Sequence, residues 1–267
     1  IKIAILTNFT SEHQFKKLFK MKLLDYIDYL VTSEEVGVEK PDKKMFETVI
    51  NKLNMKSEEV LMIGDNFKSD IEGAINHDIY AGYFTNSNLL KEKFFNFSSI
   101  ENLYNLIKNL NITINDLVNL CNIYGERFDL TQAGGGNISI KFKFNEQIIT
   151  IIKASGYCLS DVSNNNGYTI INNEKIKKYV IDLKIEENKN ITENKTKEFI
   201  KTQILFNCQL RPSIETPMHS LFYKYTVHLH PIQCNVILTK KNGKEILNKL
   251  FPKSLVIDYF TPGIELS

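Results

Sequence analysis

Two histidines and a glutamate near the end of the chain have residue types and spacing suited to metal chemistry. His228 and His230 are separated by one residue, and Glu215 precedes them in a segment that reads as a helix start. On a β-strand, alternate side chains project to the same face, so the two imidazoles would lie together. Imidazoles beside a carboxylate suit Zn²⁺ with an open coordination position. An isolated H-x-H is more often structural, so this interpretation depends on the surrounding motifs.

Three short loops in the same half of the chain could hold an anion. They read GGGN at 134–137, KASG at 153–156 and RPS at 211–213. Small residues let backbone N–H groups approach a phosphate, and the hydroxyl, lysine and arginine side chains add further donors. GGGN alone is equally compatible with a hairpin turn. His219 lies four residues after Glu215 on the same helical face, where simple packing explains it, so it is not counted as a ligand.

Together these motifs resemble the class II aldolase/adducin family over residues 113–267. The resemblance rests on a G-N-x-S loop, a K-x-S-G turn, a P-S-x-E-x-x-x-H helix start and an H-x-H strand, in family order. It implies that His228 and His230 bind zinc and that Glu215 is the acid/base. It also implies a set of residues that hold the substrate phosphate: Asn137, Ser155, Gly156, Ser213 and Ile214.

Two departures from that family pattern shape the expectation. Many members carry a second serine where this chain has Ile214, so a backbone N–H would have to serve there. The third zinc histidine of the family has no match before Ser267, and we expect it to lie outside this chain.

A second constellation lies in the first part of the chain and suits phosphoryl chemistry. It comprises Thr7 and Asn8 after an apolar run, Lys40 in VEKPD, and Asp65 and Asp70 in GDNFKSD. A carboxylate pair at a strand end can hold Mg²⁺, and a hydroxyl and an ammonium can bind a transferring phosphoryl group. Taken singly, these residues also fit a helix cap, a solvated lysine and a turn.

In this order the motifs resemble the haloacid-dehalogenase-like hydrolases over residues 1–110. The resemblance implies that Thr7 and Lys40 take part in catalysis, that Asn8 binds phosphate and that Asp65 and Asp70 bind magnesium. The family nucleophile, an aspartate in a D-x-D motif, has no counterpart here. We expect it to lie outside this chain and the chain by itself to be inactive or impaired.

The elements that must position these residues read as two α/β domains. Strand–helix alternation over residues 1–86 predicts strands near 1–6, 28–34, 60–65 and 79–85 in part of a doubly wound parallel sheet. Helices are expected at 12–27, 41–54 and 68–76, and Asn/Lys-rich residues 87–112 read as a domain end and linker with a helix at 101–110. The family resemblance implies an α/β/α second domain with a mainly antiparallel sheet.

In the second domain the apolar patterns predict helices at 114–128, 196–206 and 215–223. They predict strands in NISIKFKF, QIITIIKAS, TVHLHP and CNVILT, with two short Ile-rich strands between residues 160 and 198. The domains are therefore expected at 1–110 and 113–267.

Composition limits the partners. A net charge of +2 gives no argument for nucleic acid or a membrane surface, and four cysteines without a C-x-x-C pair do not read as a disulfide framework. We find no signal peptide or membrane span, so the cytoplasm is the default location.

The combined motifs predict a bifunctional sugar-phosphate enzyme that uses Zn²⁺ and Mg²⁺. It would cleave a ketose 1-phosphate by a reversible aldol reaction and hydrolyse a phosphate ester. Three alternatives remain open: a phosphatase fused to a non-catalytic adducin-like binding module, a zinc epimerase or dehydratase, and a non-enzymatic scaffold. The aldolase resemblance implies a homo-oligomer, with a tetramer as the common form. The sequence does not specify the sugar or its stereochemistry.

Overall fold

A computed structural model describes residues 1–87, 90–144, 146–183, 189–206 and 208–267, the side chains of 189–191 excepted. The chain divides into two compact units, Ile1–Leu103 and Tyr104–Ser267, which are described separately. No helix within the described ranges is long and apolar enough to cross a membrane.

The first unit consists of parallel strand pairs with intervening helices. The strands β1 to β5 are Ala4–Thr7, Tyr29–Thr32, Leu61–Gly64, Tyr80–Phe84 and Phe94–Phe97. β1 pairs with β2, and β3, β4 and β5 form a second parallel group in that order. The helices α1 to α4 are Ser11–Lys20, Ser33–Val36, Lys43–Leu53 and Gly73–Ile75, the last preceded by a π-helical turn at Phe67–Glu72.

Helix α3 shows why these segments fold as they do. Asp42 caps its first turn by accepting a hydrogen bond from the Lys44 amide, and Asn54 ends it in the left-handed conformation. Its buried residues, Met45, Phe46 and Val49 among them, recur on one face and pack into the core with Val31 and Ile71. The expectation of α/β architecture with parallel pairing is confirmed for this unit.

Two expectations for the first half of the chain were wrong in detail. The helix expected at 12–27 ends at Lys20, because the chain turns through the left-handed conformation at Lys22 (φ 56°). The Asn/Lys-rich segment contains the strand β5, whose aromatic residues pack into a sheet despite the polar neighbourhood. Sequence composition hid this strand because it is only four residues long.

A single helix, α5, extends from Ile100 to Gly125, where the sequence predicted two helices separated near residue 112. Neither Pro nor Gly occurs inside it before its last residue, so nothing in the sequence interrupts the hydrogen-bond ladder.

The second unit is built on a four-stranded antiparallel sheet. Its strands β6 to β9 are Asn137–Phe144, Gln147–Lys153, Tyr168–Asn172 and Tyr225–His228, in the spatial order β8-β7-β6-β9. The helices α6 to α10 are Asn173–Asp182, Lys189–Lys201, Thr216–Leu221, Ile232–Leu238 and Gly243–Leu250. The mainly antiparallel sheet expected for this domain is confirmed.

Three predicted elements of the second unit differ from the structure. CNVILT forms most of the helix α9, which begins directly after Pro231. One of the two Ile-rich strands expected between residues 160 and 198 is β8, but the next apolar pattern is the helix α6, capped by Asn172. β9 ends at His228, so His230 lies beyond the strand. Short runs of β-branched residues do not distinguish a strand from a buried helix, which explains the first two errors.

Candidate metal centre and phosphate-binding loops

Glu215, His228 and His230 come together in the second unit. Glu215 is the N-cap of α8, His228 is the last residue of β9, and His230 follows two residues later. One potential ligand atom from each lies within 4.8 Å of the other two. His228 Nδ1 is 2.8 Å from Glu215 Oε1, and the two imidazole rings are 4.9 Å apart. Three side chains that are separate in the sequence therefore converge on a single point.

Backbone contacts place the two histidines. β9 pairs with β6 so that His228 stands opposite Asn137, while the His230 amide donates to the Leu130 carbonyl at 2.8 Å. That second bond holds His230 near His228 although the strand has already ended. The same-strand prediction was wrong, but the proximity that it implied is confirmed.

The glycine loop approaches the candidate metal ligands closely. A Cβ on Gly135 would lie only 2.8 Å from His230 Nδ1, so no side chain fits there unless the imidazole moves. Gly136 has φ +80°, a conformation that residues with a side chain rarely adopt. The small residues of GGGN therefore make room for the histidines, a role that the sequence did not reveal.

Several buried polar atoms around this point lack hydrogen-bond partners among the described residues. They are His228 Nδ1, His219 Nε2 and Asn137 Oδ1. Buried polar atoms are normally paired, and each unpaired atom carries a desolvation cost. His228 Nδ1 lies 2.8 Å from Glu215 Oε1 but outside hydrogen-bond geometry, and a metal ion shared with Glu215 and His230 would satisfy both groups. The donor set, two imidazoles and a carboxylate, therefore fits Zn²⁺.

The protonation states also suit a metal. Burial acts to raise the pKa of Glu215, but the contact with His228 and the charges of His219 and His230 outweigh it and leave the pKa below its usual value. Burial, together with the charge of His228, lowers the pKa of His230 although Glu215 opposes the change. An ionised carboxylate and a neutral imidazole are the forms that coordinate metal ions.

His219 and Lys141 hold α8, the helix whose N-cap is Glu215, against the sheet. His219 is fully buried, its Nδ1 lies 2.8 Å from Ser139 Oγ, and burial lowers its pKa to about 4. Lys141 donates to the carbonyls of His219, Phe222 and Tyr223 at 2.7 to 3.0 Å, at the end of α8. The sequence did not single out Lys141, because its place in NISIKFKF looks like an ordinary exposed position of an alternating strand.

The predicted phosphate residues separate into two groups. Ser155, Ser213 and Ile214 line one cavity of about 290 Å³, together with residues of α7. Gly156 and Asn137 are not among its lining residues. Gly156 follows Ser155 with φ +88°, and Asn137 lies beside His228 in the sheet. Ser213 Oγ accepts a 3.3 Å hydrogen bond from the Glu215 amide, which links the cavity wall to the metal centre.

In the first unit, Lys40 and Asp70 form a buried ion pair. Lys40 Nζ lies 2.6 Å from Asp70 Oδ1, and the two side chains are 11% and 7% exposed. Asp70 also accepts hydrogen bonds from the Asn66 amide and the Ser69 hydroxyl. Asn8 accepts from the Lys40 amide and donates to its carbonyl. These bonds bring Asn8, Lys40 and Asp70 together.

Thr7 and Asp65 complete the predicted set in that unit. Thr7, the last residue of β1, accepts a hydrogen bond from Gln14. Asp65 follows β3 directly and is exposed. Within the described part of the chain, a group of three potential metal ligands is found only at Glu215, His228 and His230. The assignment of Asp65 and Asp70 to magnesium therefore stays a prediction.

Known proteins resemble both halves of the chain. Residues 1–82 match the model of the haloacid dehalogenase-like hydrolases, and residues 115–267 match that of the class II aldolase and adducin N-terminal domain. Similar curated proteins include a ribulose-1,5-bisphosphate 5-phosphatase of Halopiger xanaduensis, 43% identical over 74 residues, which are 28% of this chain and 31% of that protein. A pyrimidine 5'-nucleotidase of Escherichia coli is 49% identical over 76 residues, or 28% of this chain and 34% of that protein.

A solved N-terminal class II aldolase domain from Thermoplasma acidophilum covers 56% of this chain and 70% of its own, with 22% identity and a TM-score of 0.49. The matches to the two curated relatives span 31% and 34% of their lengths. The aldolase match alone takes in more than half of the 267 residues. The chain therefore belongs to the class II aldolase and adducin N-terminal domain family, and residues 1–82, which precede that domain, are similar to the haloacid dehalogenase-like hydrolases.

Proposed function

We propose that the second unit is the metal-and-base part of a zinc-dependent aldolase acting on a ketose 1-phosphate. The observation that carries this proposal is the convergence of Glu215, His228 and His230 within 4.8 Å, where His228 Nδ1 contacts the Glu215 carboxylate at 2.8 Å without hydrogen-bond geometry and has no other partner among the described residues. A non-catalytic binding module would have no need to gather two imidazoles and a carboxylate at one partly buried point, since burying them costs desolvation energy.

The residues divide the chemistry between them. His228 and His230 would hold Zn²⁺, which as a Lewis acid polarises the substrate carbonyl when bound. Glu215 accepts the proton that leaves the substrate hydroxyl as the carbon–carbon bond breaks, and it returns a proton to the carbon of the departing fragment. Its lowered pKa keeps the carboxylate ionised for the first of these transfers. Ser155 and Ser213 would hold the phosphate, with Ile214 contributing its backbone N–H and Gly156 following Ser155, while Asn137 would contribute from its place opposite His228.

We propose that the first unit contributes Mg²⁺-dependent hydrolysis of a phosphate ester in the complete protein. Asp65 would offer its exposed carboxylate to Mg²⁺, with Asp70 as the second predicted ligand. Lys40, held by Asp70 at 2.6 Å, would offset the charge of the phosphoryl group bound near Thr7 and Asn8. Both units would then act on phosphorylated small metabolites, in a homo-oligomer of the aldolase type.

The test of the aldolase proposal is zinc content combined with a retro-aldol assay. We expect stoichiometric zinc in the purified complete protein, and we expect His228→Ala to weaken zinc binding more than about 100-fold because it removes one of few ligands. His13→Ala, an exposed histidine of the first unit, is the matched control and should retain zinc. A complete protein without zinc, whose ketose 1-phosphate cleavage is unaffected by His228→Ala, would overturn the proposal.

A further inference from the structure

Among the described residues that line the cavity beside the candidate metal centre, one cation has no carboxylate partner. Its two acidic lining residues are already matched, since Glu193 lies 3.5 Å from Lys197 and Glu198 lies within ion-pair distance of Lys201. Arg211 also lines the cavity, and among the described residues no carboxylate pairs with it. The guanidinium of Arg211 is therefore available to bind one anion in the cavity.

Arg211 is held in place by the loop that carries Ser155. One guanidinium nitrogen donates to Ser155 Oγ at 2.7 Å, and the Arg211 carbonyl accepts the Ser155 amide at 2.9 Å. The next residue, Pro212, forms an isolated antiparallel bridge with Ala154. Arg211 and Ser155 are thus joined by backbone and side chain, which limits the freedom that an exposed arginine usually keeps.

The type of residue matters at this position. The chain has 33 basic residues, but only Arg127 and Arg211 are arginines. Arg127 makes a two-nitrogen contact with Asp129, at 3.2 and 2.7 Å. A guanidinium offers five donors in a planar fork that matches a carboxylate or a phosphate, whereas an ammonium is a point charge. One arginine already uses this fork on a carboxylate, and the other directs only one bond to a neutral hydroxyl.

From this geometry we infer that Arg211 is the charge-recognition residue for the phosphate of the substrate, which it binds together with Ser155 and Ser213. The inference rests on the proposed function, because it concerns the same substrate. It adds that the site selects a phosphate dianion over an uncharged sugar mainly through one guanidinium. The Ile214 side chain has no donor to share in this task, and Lys197 and Lys201 already face carboxylates.

The direct test measures binding of inorganic phosphate to the full 267-residue chain by titration calorimetry. Arg211→Gln should weaken phosphate binding about tenfold or more, since charge-assisted hydrogen bonds are lost. Arg127→Gln removes the same charge from the same unit and should change binding less than about twofold. Arg211→Lys should fall between wild type and Arg211→Gln, because it keeps the charge but loses the fork. Equal losses in both Gln variants, or no effect of Arg211→Gln, would overturn the inference.

A second measurement needs no variant. Phenylglyoxal reacts selectively with arginine, and peptide mass mapping can follow Arg127 and Arg211 separately in the wild-type chain. Inorganic phosphate should slow modification of Arg211 and leave the rate at Arg127 unchanged. Equal protection of both residues, or of neither, would contradict the inference even if the Arg211 variants failed to fold.

These experiments separate the inference from the proposed function. Arg211→Gln should retain full zinc content, because Arg211 is not part of the metal centre. His228→Ala should lose zinc and keep phosphate binding. Failure of His228→Ala to lose zinc would sink the aldolase proposal alone, and phosphate binding indifferent to Arg211 in a zinc-loaded protein would sink the inference alone.

Discussion

The two predicted sites differ in how their buried polar atoms are satisfied. In the first unit Asp70 accepts hydrogen bonds from Lys40, Ser69 and the Asn66 amide, so both of its carboxylate oxygens have protein donors. In the second unit His219 Nε2 is buried without a hydrogen-bond partner among the described residues, and His228 Nδ1 only contacts Glu215 Oε1 at 2.8 Å without hydrogen-bond geometry. A satisfied network holds its members in place, whereas an unsatisfied one identifies where a ligand or metal is needed.

The largest expected effect concerns the satisfied network. Asp70→Ala leaves the Lys40 ammonium buried without a counter-charge, and we expect it to lower the free energy of unfolding by about 3–5 kcal/mol. Urea denaturation of the purified chain measures this loss. Glu47→Ala breaks the exposed Lys43–Glu47 pair of the same unit and should cost less than about 1 kcal/mol. If the two variants lost similar amounts, the buried Lys40–Asp70 pair would contribute no more to stability than an exposed one.

A second prediction concerns Lys141, whose buried ammonium donates to three backbone carbonyls at the end of α8. Burial, with a contribution from Lys177, lowers the pKa of Lys141 to about 8. Between this value and the ordinary lysine pKa of about 10.5, the unfolded chain binds more protons than the folded one. The free energy of unfolding of the wild-type chain, compared with that of Lys141→Met, should therefore rise by about 2–3 kcal/mol across this window. Below pH 8 Lys141 is charged in both states, and the cost of burying its charge is fully present.

Urea titrations of wild type and Lys141→Met at several pH values between 7 and 11 would show this difference. Lys143→Met is the matched control, because Lys143 lies on the same strand with its ammonium exposed near Glu146. A parallel pH dependence for wild type and Lys141→Met would show that the Lys141 pKa is not lowered by folding.

A variant with a smaller expected effect tests the candidate metal centre of Glu215, His228 and His230 without removing any of the three side chains. A methyl group at Gly135 would meet His230 Nδ1 at 2.8 Å, so Gly135→Ala should displace the imidazole. We expect zinc affinity to fall about tenfold, the scale of other changes that misplace a ligand. In Gly134→Ala the nearest atom to the new methyl group is 4.0 Å away, and zinc affinity should not change. Competition with a chromophoric chelator measures both, and equal affinities would mean that His230 is not a ligand in this position.

Much of the candidate site was accessible from the sequence because its residues occur in short motifs. His228 and His230 were paired by their spacing, and Glu215 by its place before a helix, and the structure brings all three together. The strand argument for the histidines was nevertheless incomplete, since β9 ends at His228 and a bond from His230 to Leu130 completes the geometry. A bond between residues 100 positions apart leaves no local pattern that spacing could reveal.

Fold class followed from periodicity in the first half and from the family resemblance in the second, but the identity of short elements followed from neither. The parallel and antiparallel halves were both predicted correctly, since strand–helix alternation and family motifs extend over many residues. CNVILT, in contrast, is helical because Pro231 precedes it and the packed unit accommodates a helix there. Intrinsic preference over six residues is too weak to oppose that context.

By itself the sequence determined which residue types are available and in what order: two imidazoles and a carboxylate in one half, a lysine and two aspartates in the other. Only the tertiary structure decided which of them are engaged. The Arg211–Ser155 bond joins residues 56 apart, and the His219–Ser139 contact joins residues 80 apart. Whether a polar atom is paired depends on neighbours that only the folded chain brings near. The tertiary structure therefore separates the satisfied Asp70 from the unsatisfied His228, although both are equally plausible ligands in the sequence.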